Sequence, residues 1–96
     1  MFRAIFEGFV SSHPTIKEQS SEISFVVTVK TESNTTHAVC HYVLPTQNTD
    51  QHKSLYETLS KVQIGDNVHV EGNAQIHFHD KLFVWIDEFS KITKSI

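Results

Sequence analysis

The chain has 96 residues, 39 % of them hydrophobic, with seven Phe, two Tyr and one Trp against only three Gly and two Pro. That is enough for one small core, too little for two, and not the composition of a disordered segment. Eleven Asp and Glu outnumber eight Lys and Arg, for a net charge of −3 with the seven His neutral, which counts against a ligand held by a strongly basic surface.

No apolar run approaches the roughly 20 residues of a membrane span, and the start Met1 to Phe6 turns polar at Glu7 instead of extending into a signal core. The one cysteine, Cys40, cannot close an internal disulfide and excludes a Cys-based zinc site. A cytoplasmic protein with a single domain over residues 1–96 is expected, its last residues 93–96 disordered.

The first strand reads from Phe2 to Val10, with Phe2, Ala4, Phe6, Gly8 and Val10 on one face and Arg3, Ile5, Glu7 and Phe9 on the other. After Ser11 to Thr15 breaks the pattern, Lys17 to Glu22 reads as a polar hairpin loop. Ile23 to Lys30 is the most β-prone segment, with Ile23, Phe25, Val27 and Val29 facing one way. A turn at Glu32 to Thr35 leads to a third strand, Thr36 to Leu44, which sets Ala38, Cys40, Tyr42 and Leu44 against His37, Val39, His41 and Val43 and stops at Pro45.

The period then changes. Leu55, Tyr56, Leu59 and Val62 recur at helical spacing over Gln51 to Lys61, with Asp50 as the expected N-cap and Ser54 and Glu57 offering a later capping register. Gly65-Asp66 supplies the stop, and a fourth strand follows in which Val68, Val70, Ala74 and Ile76 oppose His69, Glu71, Asn73 and Gln75. Gly72 interrupts that strand where a bulge or sharp bend would let a small sheet curl. His77 to Lys81 is a tight polar turn, Leu82 to Phe89 the fifth strand, and Ser90 to Ile96 a lightly basic end. The order is three strands, a helix and two strands, and the expected fold is a five-stranded Greek-key barrel with its helix between strands three and four, the OB-fold.

The phrase Ile64-Gly65-Asp66-Asn67-Val68-His69-Val70-Glu71-Gly72-Asn73-Ala74 resembles the fourth strand of bacterial single-stranded-DNA-binding proteins and of their relative primosomal replication protein N, both OB-folds. The likeness continues through Phe6-Glu7-Gly8-Phe9-Val10 with His13-Pro14, through Ile23 to Lys30, and through Ala38-Val39-Cys40-His41, where Val39 stands in place of an aromatic. Leu82 to Phe89 is similar to that protein's final strand. The chain lacks the flexible linker and acidic tip of the ordinary family members, so it looks like the short, domain-only type, and its turn at His77 to Lys81 is shorter than the family's basic hairpin.

This resemblance implies single-stranded DNA, or RNA, as the partner, a homodimer or homotetramer, and contacts with replication proteins. Base stacking on exposed rings is worth about 1–3 kcal/mol and tolerates any sequence, while cations track the backbone. The outward candidates are Trp85, Phe83 and Phe9 as stacking rings, His41 and Lys30 on the central strands, Arg3 and Lys17 near the first loop, and Lys81. The competing reading of the rings is a protein contact, which would make the domain an interaction adaptor.

His77 and His79 are two apart on a strand and His69 could face the same side, but nothing fixes a third ligand and Asp80 sits in the turn, so no metal and no cofactor is expected. No phosphate loop, nucleophile elbow or H-E-x-x-H is present, and the neighbours Asp87 and Glu88 are expected on opposite faces of their strand. No catalytic residue is assigned and no enzyme is expected.

Overall fold

The computed structural model describes residues 1–77 and 81–92. Its strands are β1 (Phe2–Val10), β2 (Thr15–Lys17), β3 (Glu22–Lys30), β4 (Thr35–Val43), β5 (Asn67–His77) and β6 (Lys81–Lys91), with helix α1 (Asp50–Ser60) between β4 and β5. The sheet runs β1-β5-β6-β4-β3-β2 and closes through β1 and β3, where Phe9 faces Thr28 and Val10 faces Val27. Among the described residues only β4 and β6 pair in parallel. Five of the strands thus make a closed barrel with one helix, the expected OB-fold, and β2 lengthens it at the β3 edge.

Alternation fills the barrel. Ala4 and Val10, Ile23, Phe25 and Val27, Ala38, Cys40 and Tyr42, Val68, Val70 and Ala74, and Val84 and Ile86 are all buried. Leu59 and Val62, with Leu55 and Tyr56 packed against the same cluster, close one end. Burial pushes the Cys40 thiol up to about 12, so it is an inert filler.

Three local expectations are corrected. The polar stretch from Lys17 is not all loop: β-branched Thr15 and Ile16 pair with Ser24 and Ile23 before a 3-10 turn over Glu18–Ser20 and a left-handed Ser21 at φ 52°. The helix is capped by Thr49, not Asp50, through a reciprocal pair in which Thr49 Oγ1 accepts from the His52 amide at 3.3 Å and His52 Nδ1 accepts from the Thr49 amide at 3.0 Å. It ends at Ser60, before Gly65 is reached.

The third correction shapes the site. Opposite Gly72 the β5–β6 register slips, so that Glu71 faces Glu88 while Gly72 faces Ile86, leaving Asp87 as an extra residue in β6. A Cβ at Gly72 would lie 2.0 Å from the Trp85 carbonyl oxygen, so only glycine lets the strands approach this closely. Past the bulge the pleat resumes in the other phase: Asp87 and Glu88 are both exposed, contrary to strict alternation, and Phe89 turns inward to meet Phe25 edge-on at 5.9 Å. Gly8 allows the second close approach, since a Cβ there would lie 2.5 Å from the Thr28 carbonyl oxygen where β1 crosses β3.

The turn expected over His77 to Lys81 falls mostly on Phe78, His79 and Asp80, which lie outside the described residues, as do Thr93 to Ile96 at the expected basic end. No described helix is long and apolar enough to cross a membrane.

Candidate nucleic-acid interface

The outer face of the sheet is laid out by register. One row runs Ser24, His41, Trp85, Asn73 and Arg3 across β3, β4, β6, β5 and β1. The next runs Val26, Val39, Phe83 and Gln75, and a third runs Thr28, His37 and Lys81. Because neighbouring strands lie about 4.8 Å apart, side chains of one row touch.

In the first two rows three rings gather. His41 meets Trp85 edge-on at 4.7 Å between centroids and Phe83 at 5.8 Å, and Phe83 meets Trp85 at 5.2 Å. Trp85 is 40 % exposed while His41 and Phe83 are half-buried, so the rings brace one another and still offer the indole to a ligand. Their arrangement follows from the pleat: Val84 and Ile86 go into the core, and Trp85 and Phe83 must go out.

Phe9 sits where β1 closes on β3, half-buried, with Lys30 Nζ 5.7 Å from the ring centroid. It is joined to the cluster by the outer faces of β3 and β4, through Thr28, whose hydroxyl donates to Ser11 Oγ at 2.8 Å and lies 3.1 Å from His37 Nδ1. Lys17 is exposed on β2 across from Glu22, and Lys81 is exposed across from His37. Among the described residues no carboxylate pairs with Lys17, Lys30 or Lys81.

Arg3 is placed differently. It forms a forked pair with the Asp87 carboxylate, Nη2 lying 2.9 Å from Oδ1, and Nη2 also reaches Glu71 at 3.5 Å. Its charge is taken up by carboxylates before any phosphate arrives. The ladder goes on through His69, with Nε2 2.9 Å from Glu71 Oε2 and Nδ1 3.4 Å from Glu7 Oε2. The hydrogen bond His69 makes to Glu71, helped by Glu7, raises the imidazole above its ordinary value, and His69 first, then Arg3, holds the Glu71 carboxyl below its own.

The outer face therefore has an aromatic half on β6, β4 and β3 and an acidic half on β1, β5 and the end of β6. Alternation alone marks the rings; it also puts Glu7 with Phe9, and His69 with Glu71, on the outer side, but does not show that they join in a ladder. Nor does it mark Thr28 and His37 as the link to Phe9. His69 is bound up with two carboxylates, and the His77 and His79 side chains and Asp80, weighed with it as a metal group, lie outside what is described. Among the described residues no three His, Cys, Asp or Glu side chains are grouped to hold a metal ion.

No protein-family model matches the chain, and no curated protein matches it in sequence. Solved structures do match. A deletion mutant of the single-stranded DNA binding protein from Thermus aquaticus aligns with a TM-score of 0.73 at 14 % identity, over 100 % of this chain and 43 % of that one. The chain thus spans less than half the length of that protein. The dimeric N-terminal domain of PriB from Thermoanaerobacter tencongensis aligns at 0.68 and 14 % identity over 96 % of this chain and 97 % of its own. A small single-stranded DNA-binding protein from Streptomyces coelicolor aligns at 0.66 and 13 % identity, over 95 % and 92 %. These likenesses establish a shared fold.

Proposed function

We propose that the protein binds single-stranded DNA without sequence preference, as a cytoplasmic accessory to replication, replication restart or mobile-element maintenance. The observation that supports this most is the ring cluster of His41, Phe83 and Trp85 on the open face of the barrel, a stacking platform with no carboxylate in its own rows. The proteins that share the fold add weight, since the names of two of those above include single-stranded DNA binding.

Bases would stack on Trp85 and Phe83, and on Phe9 at the far end, while Lys30, Lys17, Lys81 and His41 supply backbone contacts. So few cations give a shallow dependence on salt.

A second copy fits at β1. Val10 exchanges backbone bonds with Asp66 and Gly65 on the β5 side, and Ser11 donates to Val26 on β3, so the odd residues of β1 point their amides and carbonyls away from β5. Beyond the short β3 contact this leaves Arg3, Ile5 and Glu7 along an open edge, with Ile5 62 % exposed. A homodimer built there, or a homotetramer of two such pairs, would double the stacking surface.

The net charge of −3 and the acidic half favour a second reading, an adaptor that docks a protein and repels nucleic acid. Titrating a thymidine oligonucleotide into the protein at low salt separates the two. Binding predicts quenching of the Trp85 fluorescence that unlabelled competitor DNA reverses; an unchanged spectrum at micromolar protein favours the adaptor. Competition with the matching RNA ranks the two nucleic acids.

A further inference from the structure

We propose that strand binding is proton-linked: the Glu7–His69–Glu71 clasp takes up a proton when a single strand settles on the neighbouring aromatic rows. This rests on the reading of the outer face as a single-strand site and adds a regulator to it.

The clasp is built for the imidazolium. Both ring nitrogens of His69 face carboxylate oxygens, Nε2 at 2.9 Å from Glu71 and Nδ1 at 3.4 Å from Glu7. A carboxylate only accepts and a neutral imidazole has one N–H, so in the neutral ring one of these contacts sets acceptor against acceptor. Only the doubly protonated ring donates to both. The contacts also join two strands, because Glu7 comes from β1 while His69 and Glu71 come from β5.

The charges facing the clasp come from three strands. β1 contributes Glu7 and Arg3, β5 contributes Glu71, and β6 contributes Asp87 and Glu88, the latter directly across from Glu71. With His69 charged, four carboxylates face two cations; with His69 neutral they face one. The proton thus decides whether this half carries a local charge of two or of three negatives.

That half borders the rings. Glu71 is two residues from Asn73, which faces Trp85, and Asp87 is two residues from Trp85 itself. The proton sits further off: His69 is four residues from Asn73, about 13 Å along the strand, so its charge reaches the rings at low salt, where the screening length is about 30 Å. A phosphate held beside Trp85 therefore stabilises the imidazolium, and the imidazolium stabilises the phosphate, by the same factor. At this range a single charge changes affinity by a little under about twofold.

Two measurements test this. Dissociation constants for a thymidine oligonucleotide are taken from pH 6 to 8.5 at fixed low ionic strength for the wild type, His69→Gln and Glu7→Gln. All three proteins share every other histidine, so the share of those residues cancels. The wild type should lose a little under about twofold more affinity over this range than His69→Gln. In parallel, the His69 ring is titrated by NMR with and without oligonucleotide, and its midpoint should rise on binding and fall in Glu7→Gln.

Equal pH slopes in wild type and His69→Gln while binding persists would overturn the linkage and leave the binding site standing. A His69 midpoint that the oligonucleotide does not move would do the same. Absence of binding at every pH would overturn both, and is told apart by the unquenched Trp85 signal.

Discussion

The two halves of the outer sheet share one barrel and one register, yet they are opposites. On β6, β4 and β3 the exposed rows carry Trp85, Phe83, His41 and Val39; on β1, β5 and the end of β6 they carry Glu7, His69, Glu71, Arg3, Asp87 and Glu88. The boundary is the bulge opposite Gly72, which turns Asp87 and Glu88 outward together just past Trp85. A bulk charge of −3 hides this division. What matters to a phosphate chain is that the carboxylates are concentrated on one side and partly bound to Arg3 and His69, leaving the rings approachable from the other.

The largest effect should come from removing the boundary. Gly72→Ala forces a Cβ against the Trp85 carbonyl, and β5 and β6 must separate or lose the bulge. The expected cost is about 3 kcal/mol, lowering Tm by more than about 10 °C in thermal melts. A variant melting like the wild type would show that the bulge is not needed to set the two halves apart.

Next comes the aromatic half itself. Trp85→Ala leaves the core intact because Val84 and Ile86 carry the inward packing, so Tm should hardly move. Oligonucleotide affinity, measured by anisotropy with a labelled strand, should fall about tenfold or more, the value of one stacked base. A large loss of stability with unchanged affinity would instead make the indole a packing residue.

Much of this was legible in the chain because small barrels obey a period of two. The inward sets on β1, β3 and β4, and the outward placement of Trp85, Phe83 and Phe9, follow from alternation alone. Gly72 marks a bulge or a bend, but does not show that an extra residue falls on the partner strand, so the inward turn of Phe89 and the shared exposure of Asp87 and Glu88 were out of reach. Arg3 shows the other limit. A lone arginine on an outer face reads as a phosphate contact, and nothing local says that Asp87, 84 positions away, will take its charge. Such pairings depend on which strands become neighbours, which is a property of topology, not of any one segment.

The smallest effect isolates that pairing. If the acidic half acts by charge alone, Asp87→Asn should tighten oligonucleotide binding by about threefold, by removing a negative group beside Trp85 and by releasing one end of the Arg3 fork. Arg3→Gln should weaken it by a similar factor, because Glu71 and Asp87 then lose their shared cation. The double variant decides how Arg3 acts. Were Arg3 a direct phosphate contact, its removal would cost as much in the Asp87→Asn background as in the wild type, or more, since the guanidinium is freer there. Were it chiefly a counterion for the ladder, the cost would shrink once Asp87 is neutral, and the remainder would report the single contact to Glu71.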